Sequence, residues 1–232
     1  MTASQKAGIN MKVIARIHND FDSKFGIPRQ SNVVQELSGR IVFEPEYRNE
    51  AALRGIEGFD YLWLIWQFSE AVRDKWSPTV RPPILGGNTR VGVFATRSPF
   101  RPNAIGLSSV RLERVELHTP QGPVLHISGA DLMDGTPILD IKPYLAYVDS
   151  HPEAAQGFRG QGWQRSLQVD FPQELLNKIP IEKRAGLLGV LKNDPRPTYQ
   201  EDVQRIYGMS FGGYEIKFRV EADTLHVLAV EQ

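Results

Sequence analysis

The stretch RVGVFATRSPFRPNAIGLSSVRLERVEL, from Arg90 to Leu117, consists of two strand-like segments joined by a loop rich in arginine and proline. Pro99 and Pro102 fix φ and disfavour helix in the residues before them, so we expect a stiff loop. That loop displays Arg97 and Arg101, whose planar guanidinium groups suit the recognition of a carboxylate or phosphate. The alternative is that both arginines pin the loop to backbone carbonyls and acidic neighbours.

Short strand-like segments continue on both sides of this stretch. They are MKVIARI, GRIVF, YLWLIWQF, PVLHISGADL and PILDIKPY, and clusters of Gly, Pro and Asn separate them. One helical signal, NEAALRGIEGF, begins at Asn49, a residue suited to cap a helix. Several short strands at close spacing predict a mainly β N-terminal domain over residues 1–150. We expect a closed or partly open β-barrel, with a sandwich as the alternative.

The pattern changes after residue 150. Residues 151–164 are rich in Pro, Gly and Gln and predict a linker. Two helices are then predicted, FPQELLNKI and PIEKRAGLLGVLKND, with Pro172 and Pro180 near their first turns. YEIKFRV and TLHVLAVE follow as an antiparallel strand pair. Residues 165–232 are therefore expected to form a small α+β domain.

Composition excludes several classes of protein. The 232 residues include no cysteine, which rules out disulfide scaffolds and thiolate metal sites. No GxGxxG motif follows a strand, so a Rossmann-type cofactor site is disfavoured, and the five histidines lack metal-ligand spacing. No apolar run approaches the ~20 residues that cross a bilayer, and the N-terminus lacks the apolar core of a signal peptide. We therefore expect a cytoplasmic protein without a metal or a membrane partner.

Charge is balanced over the whole chain but not locally. From Arg73 to Arg114 the sequence has eight basic and two acidic residues, a net charge of +6. Such a zone can steer an anionic partner. The alternative is a solvated face balanced by acidic neighbours such as Glu44 and Glu57.

Two further segments carry candidate chemistry. FGIPRQ, residues 25–30, again places an arginine after a proline in a loop. DLMDGTPILDIKPYL, residues 131–145, brings three carboxylates near a lysine and a tyrosine. The DGTP part of it has the composition of a turn, which offers a purely structural role for Asp134.

Three blocks together resemble one family. RPPILGGNTRVGVFATRSPFRPNAIGLSSV, IPRQ and DGTPILDIKPY are similar to the TrmO (YaeB/VirR-type) family of S-adenosylmethionine-dependent tRNA methyltransferases, and DPRPTY resembles its longer bacterial members. The resemblance implies an all-β barrel that binds S-adenosylmethionine without a Rossmann fold. It also implies methylation of N6 of N6-threonylcarbamoyladenosine at tRNA position 37, next to the anticodon. Homodimers with the cofactor near the subunit interface are implied too, as is a C-terminal domain that helps to hold tRNA.

The resemblance and the residue chemistry together suggest roles. Cofactor contacts are implied for Pro28, Arg29, Gln30, Ser69, Glu70, Arg97, Asp131, Leu132 and Met133. Contacts with tRNA are expected for Arg90, Arg101, Asn103, Lys192, Arg196 and Arg205. Catalytic candidates are Asp140 and Asp134 as base or orienting group, with Lys142 and Tyr144 shaping the pocket. Proton loss to water after transfer is the alternative to a base. Rival functions are a methyltransferase of the same fold with another acceptor, and a non-catalytic RNA-binding barrel.

Overall fold

The computed structural model describes residues 10–73, 75–159, 166–196 and 202–232. Within these ranges the strands are β1 (Ala15–His18), β2 (Ser38–Phe43), β3 (Tyr61–Gln67), β4 (Thr79–Val80), β5 (Val91–Gly92), β6 (Ile105–Glu116), β7 (Val124–Ser128), β8 (Pro137–Pro143), β9 (Gln168–Asp170), β10 (Tyr207–Phe211), β11 (Tyr214–Glu221) and β12 (Thr224–Glu231). The helices are α1 (Ala146–Asp149), α2 (Gln173–Leu176) and α3 (Ile181–Lys192). The described ranges hold no helix that is long and apolar enough to span a bilayer.

Six strands close into an antiparallel barrel in the order β1-β2-β7-β6-β3-β8. The run YLWLIWQ in β3 shows why these residues form it, because its side chains alternate between the barrel interior and the outside. Leu62, Leu64 and Trp66 are buried, and Leu64 packs in one core with Ile17 and Ile138. The mainly β fold and the closed barrel are thus confirmed.

Two local predictions differ from the structure. RVGVFAT, the first of the two strand-like segments in Arg90–Leu117, forms only the short strand β5 and one 3-10 turn, Val93–Ala95. The strand ends there because the backbone N–H of Val93 donates to the carbonyl of Pro78 at 2.9 Å. The helical signal after Asn49 gives two 3-10 turns, Glu50–Leu53 and Ile56–Gly58. Asn49 caps the first turn, and Gly55, at φ +88°, separates the two because left-handed backbone ends a helix.

The C-terminal part is a four-stranded sheet in the order β10-β11-β12-β9, with α3 packed in the same core. β11 and β12 pair antiparallel as predicted, and β9 joins β12 in parallel. Gly212 and Gly213 form the tight β10–β11 turn with φ +59° and +86°, the backbone that a two-residue hairpin favours. Residues 160–164 of the predicted linker, and residues 197–199 of DPRPTY, lie outside the described ranges.

Residues 19–37, called the connecting segment below, join β1 to β2 and lie against both parts of the chain. Phe21, Val34 and Leu37 are almost fully buried in the core of the C-terminal sheet rather than in the barrel core. Asn32 ties the same segment to the barrel, because its side-chain amide donates to the carbonyl and the hydroxyl of Ser109, each at 3.0 Å. The segment thus bridges the two cores.

Candidate active site

A pocket of about 1100 Å³ opens beside one end of β3. Its walls come from four parts of the chain, residues 24–30, 63–73, 94–107 and 131–136. All nine predicted cofactor residues line it, and two predicted tRNA residues, Arg101 and Asn103, line it as well. This volume slightly exceeds the usual range for small-molecule sites, about 300–1,000 Å³, which leaves room for a cofactor and part of a second molecule.

The arginine side of the pocket is a chain of hydrogen bonds between two loops. Arg97 Nη1 donates to Gln30 Oε1, and the amide of Gln30 donates to the backbone carbonyl of Arg29. Arg101 Nη1 donates to the carbonyl of Thr96 at 3.1 Å and lies 3.5 Å from that of Ser98. Arg101 therefore stiffens its own loop, while Arg97 joins that loop to the connecting segment.

A half-buried carboxylate, that of Asp131, also lines the pocket. Ser108, itself buried on β6, donates its hydroxyl to Asp131 Oδ1 at 2.6 Å and accepts the indole N–H of Trp66 at 3.0 Å. Burial raises the pKa of Asp131, while the Ser108 hydrogen bond and the charge of Arg97 act in the opposite direction. The pocket thus holds a half-buried carboxyl group whose position is fixed by a chain of two hydrogen bonds, from Trp66 to Ser108 and from Ser108 to Asp131.

Aromatic rings supply much of the remaining wall. The rings of Trp66 and Phe68 lie 4.2 Å apart, and the Arg73 guanidinium sits 3.8 Å from the centre of the Phe100 ring. Gly106 faces Trp66, and a Cβ there would collide with the indole, so the missing side chain sets the place of the ring. Aromatic rings of this kind suit a nucleobase, and their faces attract cations.

The four predicted catalytic residues do not line this pocket. Asp134 accepts the backbone N–H of Asn19 at 3.0 Å, so it ties the connecting segment to the turn after β7. Asp140 and Lys142 form an ion pair of 2.9 Å and lie opposite outward-facing residues of β3, because side chains on a strand alternate. Tyr144 packs its ring against Trp63. This placement favours structural roles for the four.

The remaining predicted tRNA contacts lie elsewhere. Arg90 bonds to Thr79 on the exposed β4–β5 hairpin, at 3.1 Å. Lys192 ends α3, and Arg205 lies over the Tyr207 ring at 5.3 Å. Arg196 differs from these, because only 7% of it is exposed and its guanidinium is held by a carboxylate. Its burial does not favour a phosphate contact.

Sequence reasoning missed Trp66 and Ser108, which hold Asp131. A signal for them existed, since Ser108 falls between Gly106 and Val110 on the inward-facing positions of β6. A small polar side chain at a core position needs a hydrogen-bond partner. That partner is Asp131, a residue 23 positions later in the chain.

Known proteins match this chain over almost its whole length. Residues 16–150 match the family model of the tRNA-methyltransferase O N-terminal domain, and residues 164–232 match the TrmO C-terminal domain. A "tRNA (adenine(37)-N6)-methyltransferase" of Escherichia coli (strain K12) is 38% identical, with 94% of this chain and 96% of the relative covered. A Pseudomonas aeruginosa protein named "Putative S-adenosylmethionine-dependent methyltransferase RcsF" is 36% identical, with 94% and 95% covered.

Solved structures also match this chain over almost its whole length. The crystal structure of TrmO from Pseudomonas aeruginosa superimposes with a TM-score of 0.77 at 29% identity, and covers 97% of this chain and 100% of that one. Both family models are matched in order, and together they span the barrel and the C-terminal sheet. This chain belongs to the TrmO family of tRNA (adenine(37)-N6)-methyltransferases.

Proposed function

We propose that this protein transfers a methyl group from S-adenosylmethionine to N6 of N6-threonylcarbamoyladenosine at position 37 of tRNA. The observation that carries the proposal is the convergence of arginines, aromatic rings and one half-buried carboxylate on a single pocket in a barrel of this family. The family membership supports the adenosine at position 37, and the threonylcarbamoyl group is the part that this proposal adds.

The residues of the pocket fit S-adenosylmethionine. Its aminoacyl carboxylate suits a rigid guanidinium, and we assign it to Arg97 with support from Arg29. Its adenine suits the apolar wall that includes the tilted rings of Trp66 and Phe68, and its positive groups suit Asp131. When bound, S-adenosylmethionine supplies an electrophilic methyl group on a positively charged sulfur.

The acceptor nitrogen is a weak nucleophile because its lone pair is delocalised into the purine and the carbamoyl group. Two contributions from the chain help it. The stiff walls align the acceptor, and Asp131 takes the proton that N6 loses. Asp131 replaces Asp134 and Asp140 as the proposed base because it lines the pocket. Its raised pKa also makes its carboxylate a stronger base than an exposed aspartate. Arg101, beside Asn103, is proposed to read the threonyl carboxylate of the substrate.

The rest of the chain serves the RNA in this proposal. The anticodon loop is single-stranded and can turn its bases outward. Arg90, Lys192 and Arg205 lie on exposed segments and are proposed to contact its phosphates. We further propose that residues 1–150 form the catalytic barrel and residues 165–232 the appendage. Two copies are proposed to assemble with the cofactor near their interface.

Mass spectrometry of tRNA nucleosides tests the function. The protein would be incubated with S-adenosylmethionine and tRNA that carries threonylcarbamoyladenosine, with tRNA that lacks it as control. One added methyl group only on the modified adenosine would support the proposal. Methylation of the unmodified adenosine would replace the acceptor, and RNA binding with no methyl transfer would favour a non-catalytic barrel.

A further inference from the structure

The tip of the β10–β11 hairpin contacts the connecting segment at Asp20. The backbone N–H of Gly212 donates to the Asp20 carbonyl at 2.8 Å. Lys183 on α3 donates to Asp20 Oδ1 at 2.7 Å and to the Gly212 carbonyl at 3.1 Å. Gly212 has φ +59°, and a Cβ there would lie 2.7 Å from the lysine nitrogen, so a larger residue would strain the turn and displace the Lys183 side chain. Three hydrogen bonds thus join the hairpin tip, α3 and the connecting segment at one point.

Apolar side chains of the connecting segment also pack into the core of the C-terminal sheet. The Phe21 ring meets Phe211 edge-on at 5.4 Å, and both side chains are 1% exposed. Gly189 on α3 leaves space for Val34, and Gly186 leaves space for Leu37. Because these side chains belong to the C-terminal core, the segment cannot shift without disturbing that core.

A second path runs from the C-terminal sheet into the pocket. Asp194 holds the Arg196 guanidinium through two bonds of 2.8 Å, and both side chains are largely buried. The backbone carbonyl of Arg196, fixed in this way, accepts Arg29 Nη2 at 3.1 Å. Arg29 adjoins Gln30, which accepts a hydrogen bond from Arg97. A buried ion pair outside the pocket is thus linked to two of the pocket arginines, Arg29 and Arg97.

We propose that the C-terminal unit, residues 166–232, positions the cofactor loop Pro28–Gln30, with Lys183 and the Asp194–Arg196 pair as positioning residues. The identity of the ligand rests on the proposed function. The barrel side of the segment is tied at Asn19 and Asn32, so the loop between them is held from both sides. A unit that served only to hold tRNA would have no need to fix this loop.

The test compares cofactor affinity in full-length variants. K183M removes the grip at Asp20, and D194N releases Arg196 while keeping a side chain that tolerates the φ of +48° at position 194. The matched control is K217M, which removes the ion pair of Lys217 with Glu231 at 2.7 Å in the same sheet but away from the segment. Isothermal titration with S-adenosylmethionine alone gives Kd, and thermal unfolding verifies that each variant is folded.

We expect Kd for S-adenosylmethionine to rise about tenfold in K183M and D194N, within the 5–150-fold range of coupling between sites. K217M should stay within about twofold of the unaltered chain, as for an exposed ion pair. In turnover assays, KM for S-adenosylmethionine should rise in both variants more than KM for tRNA. If K183M does not fold, D194N carries the test, because its change is confined to one turn.

The outcomes separate this inference from the proposed function. Equal Kd values for D194N, K183M and K217M, with binding intact, would overturn the positioning role alone. A rise in KM for tRNA with unchanged Kd for S-adenosylmethionine would also overturn it and assign the unit to RNA binding. No binding of S-adenosylmethionine by the unaltered chain would overturn the proposed function and this inference with it.

Discussion

Replacing Ser108 with alanine should weaken the fold by an amount that grows with pH. The Ser108 hydroxyl donates to Asp131 at 2.6 Å and accepts the Trp66 indole N–H at 3.0 Å, and Ser108 is only 2% exposed. S108A removes both bonds without opening a large cavity. It leaves a buried N–H without its acceptor and a half-buried carboxylate without its donor.

The two losses depend on pH differently. A buried donor left without a partner costs about 1–3 kcal/mol at any pH. A hydrogen bond to an ionised group is worth about 1.5–3 kcal/mol, against about 0.5–1.5 kcal/mol for a neutral one. We therefore expect S108A to destabilise by about 2.5–6 kcal/mol when Asp131 is ionised and by about 1 kcal/mol less when it is protonated. The extra loss appears as pH rises through the Asp131 pKa, which burial raises and which S108A raises further.

Urea unfolding from pH 4 to pH 8 measures this difference. The control for activity is S128A, because Ser128 is also buried and donates to a carboxylate, Glu113, at 2.5 Å, on β7 and away from the pocket. The acid limb of kcat/KM should lie above the ordinary pKa of an aspartate and move to higher pH in S108A but not in S128A. A destabilisation of S108A that is the same at every pH would refute the bond to an ionised Asp131.

Three further predictions use the same pocket. D131N should lower the single-turnover rate at saturating S-adenosylmethionine by about 10²-fold or more, while D140N stays within about twofold. Equal losses would remove the base role from Asp131. G106A should displace the Trp66 ring and lower the free energy of unfolding by about 1–3 kcal/mol, as measured by thermal unfolding. An unchanged Tm would mean that the pocket wall adjusts to the added methyl group without cost. Raising salt from 50 to 200 mM should lower tRNA affinity steeply in filter binding, and a shallow slope would mean that the basic zone is structural.

Sequence patterns predicted the barrel because alternation in segments such as YLWLIWQF is a local property, and each strand that forms buries one face. They predicted α3 and the β11–β12 pair for the same reason. The strand RVGVFAT was overestimated, since the turn at Val93 depends on a hydrogen bond to a residue fifteen positions away. Where a tertiary contact decides the backbone, local pattern does not reveal it.

The same difference between local pattern and tertiary contact applies to the candidate site. The resemblance grouped nine residues that the fold brings to one pocket, although their contact with a cofactor stays a prediction. Charge and spacing alone pointed to Asp140 and Lys142, which pair with each other on the outer face. The relay of Trp66, Ser108 and Asp131 joins three strands or turns and becomes visible only when the barrel closes.

The placement of Arg196 shows how a cation can serve an anion site without touching the anion. Its buried guanidinium neutralises Asp194 and fixes a backbone carbonyl, and that carbonyl in turn restrains Arg29 at the pocket edge. An arginine held in one orientation loses less conformational freedom when a carboxylate binds, so part of the ordering cost is met on folding. In this barrel, whose sequence has no GxGxxG motif, the proposed anion site is built from arginine side chains. Packing the C-terminal sheet against residues 19–37 is a direct way to hold those side chains in place.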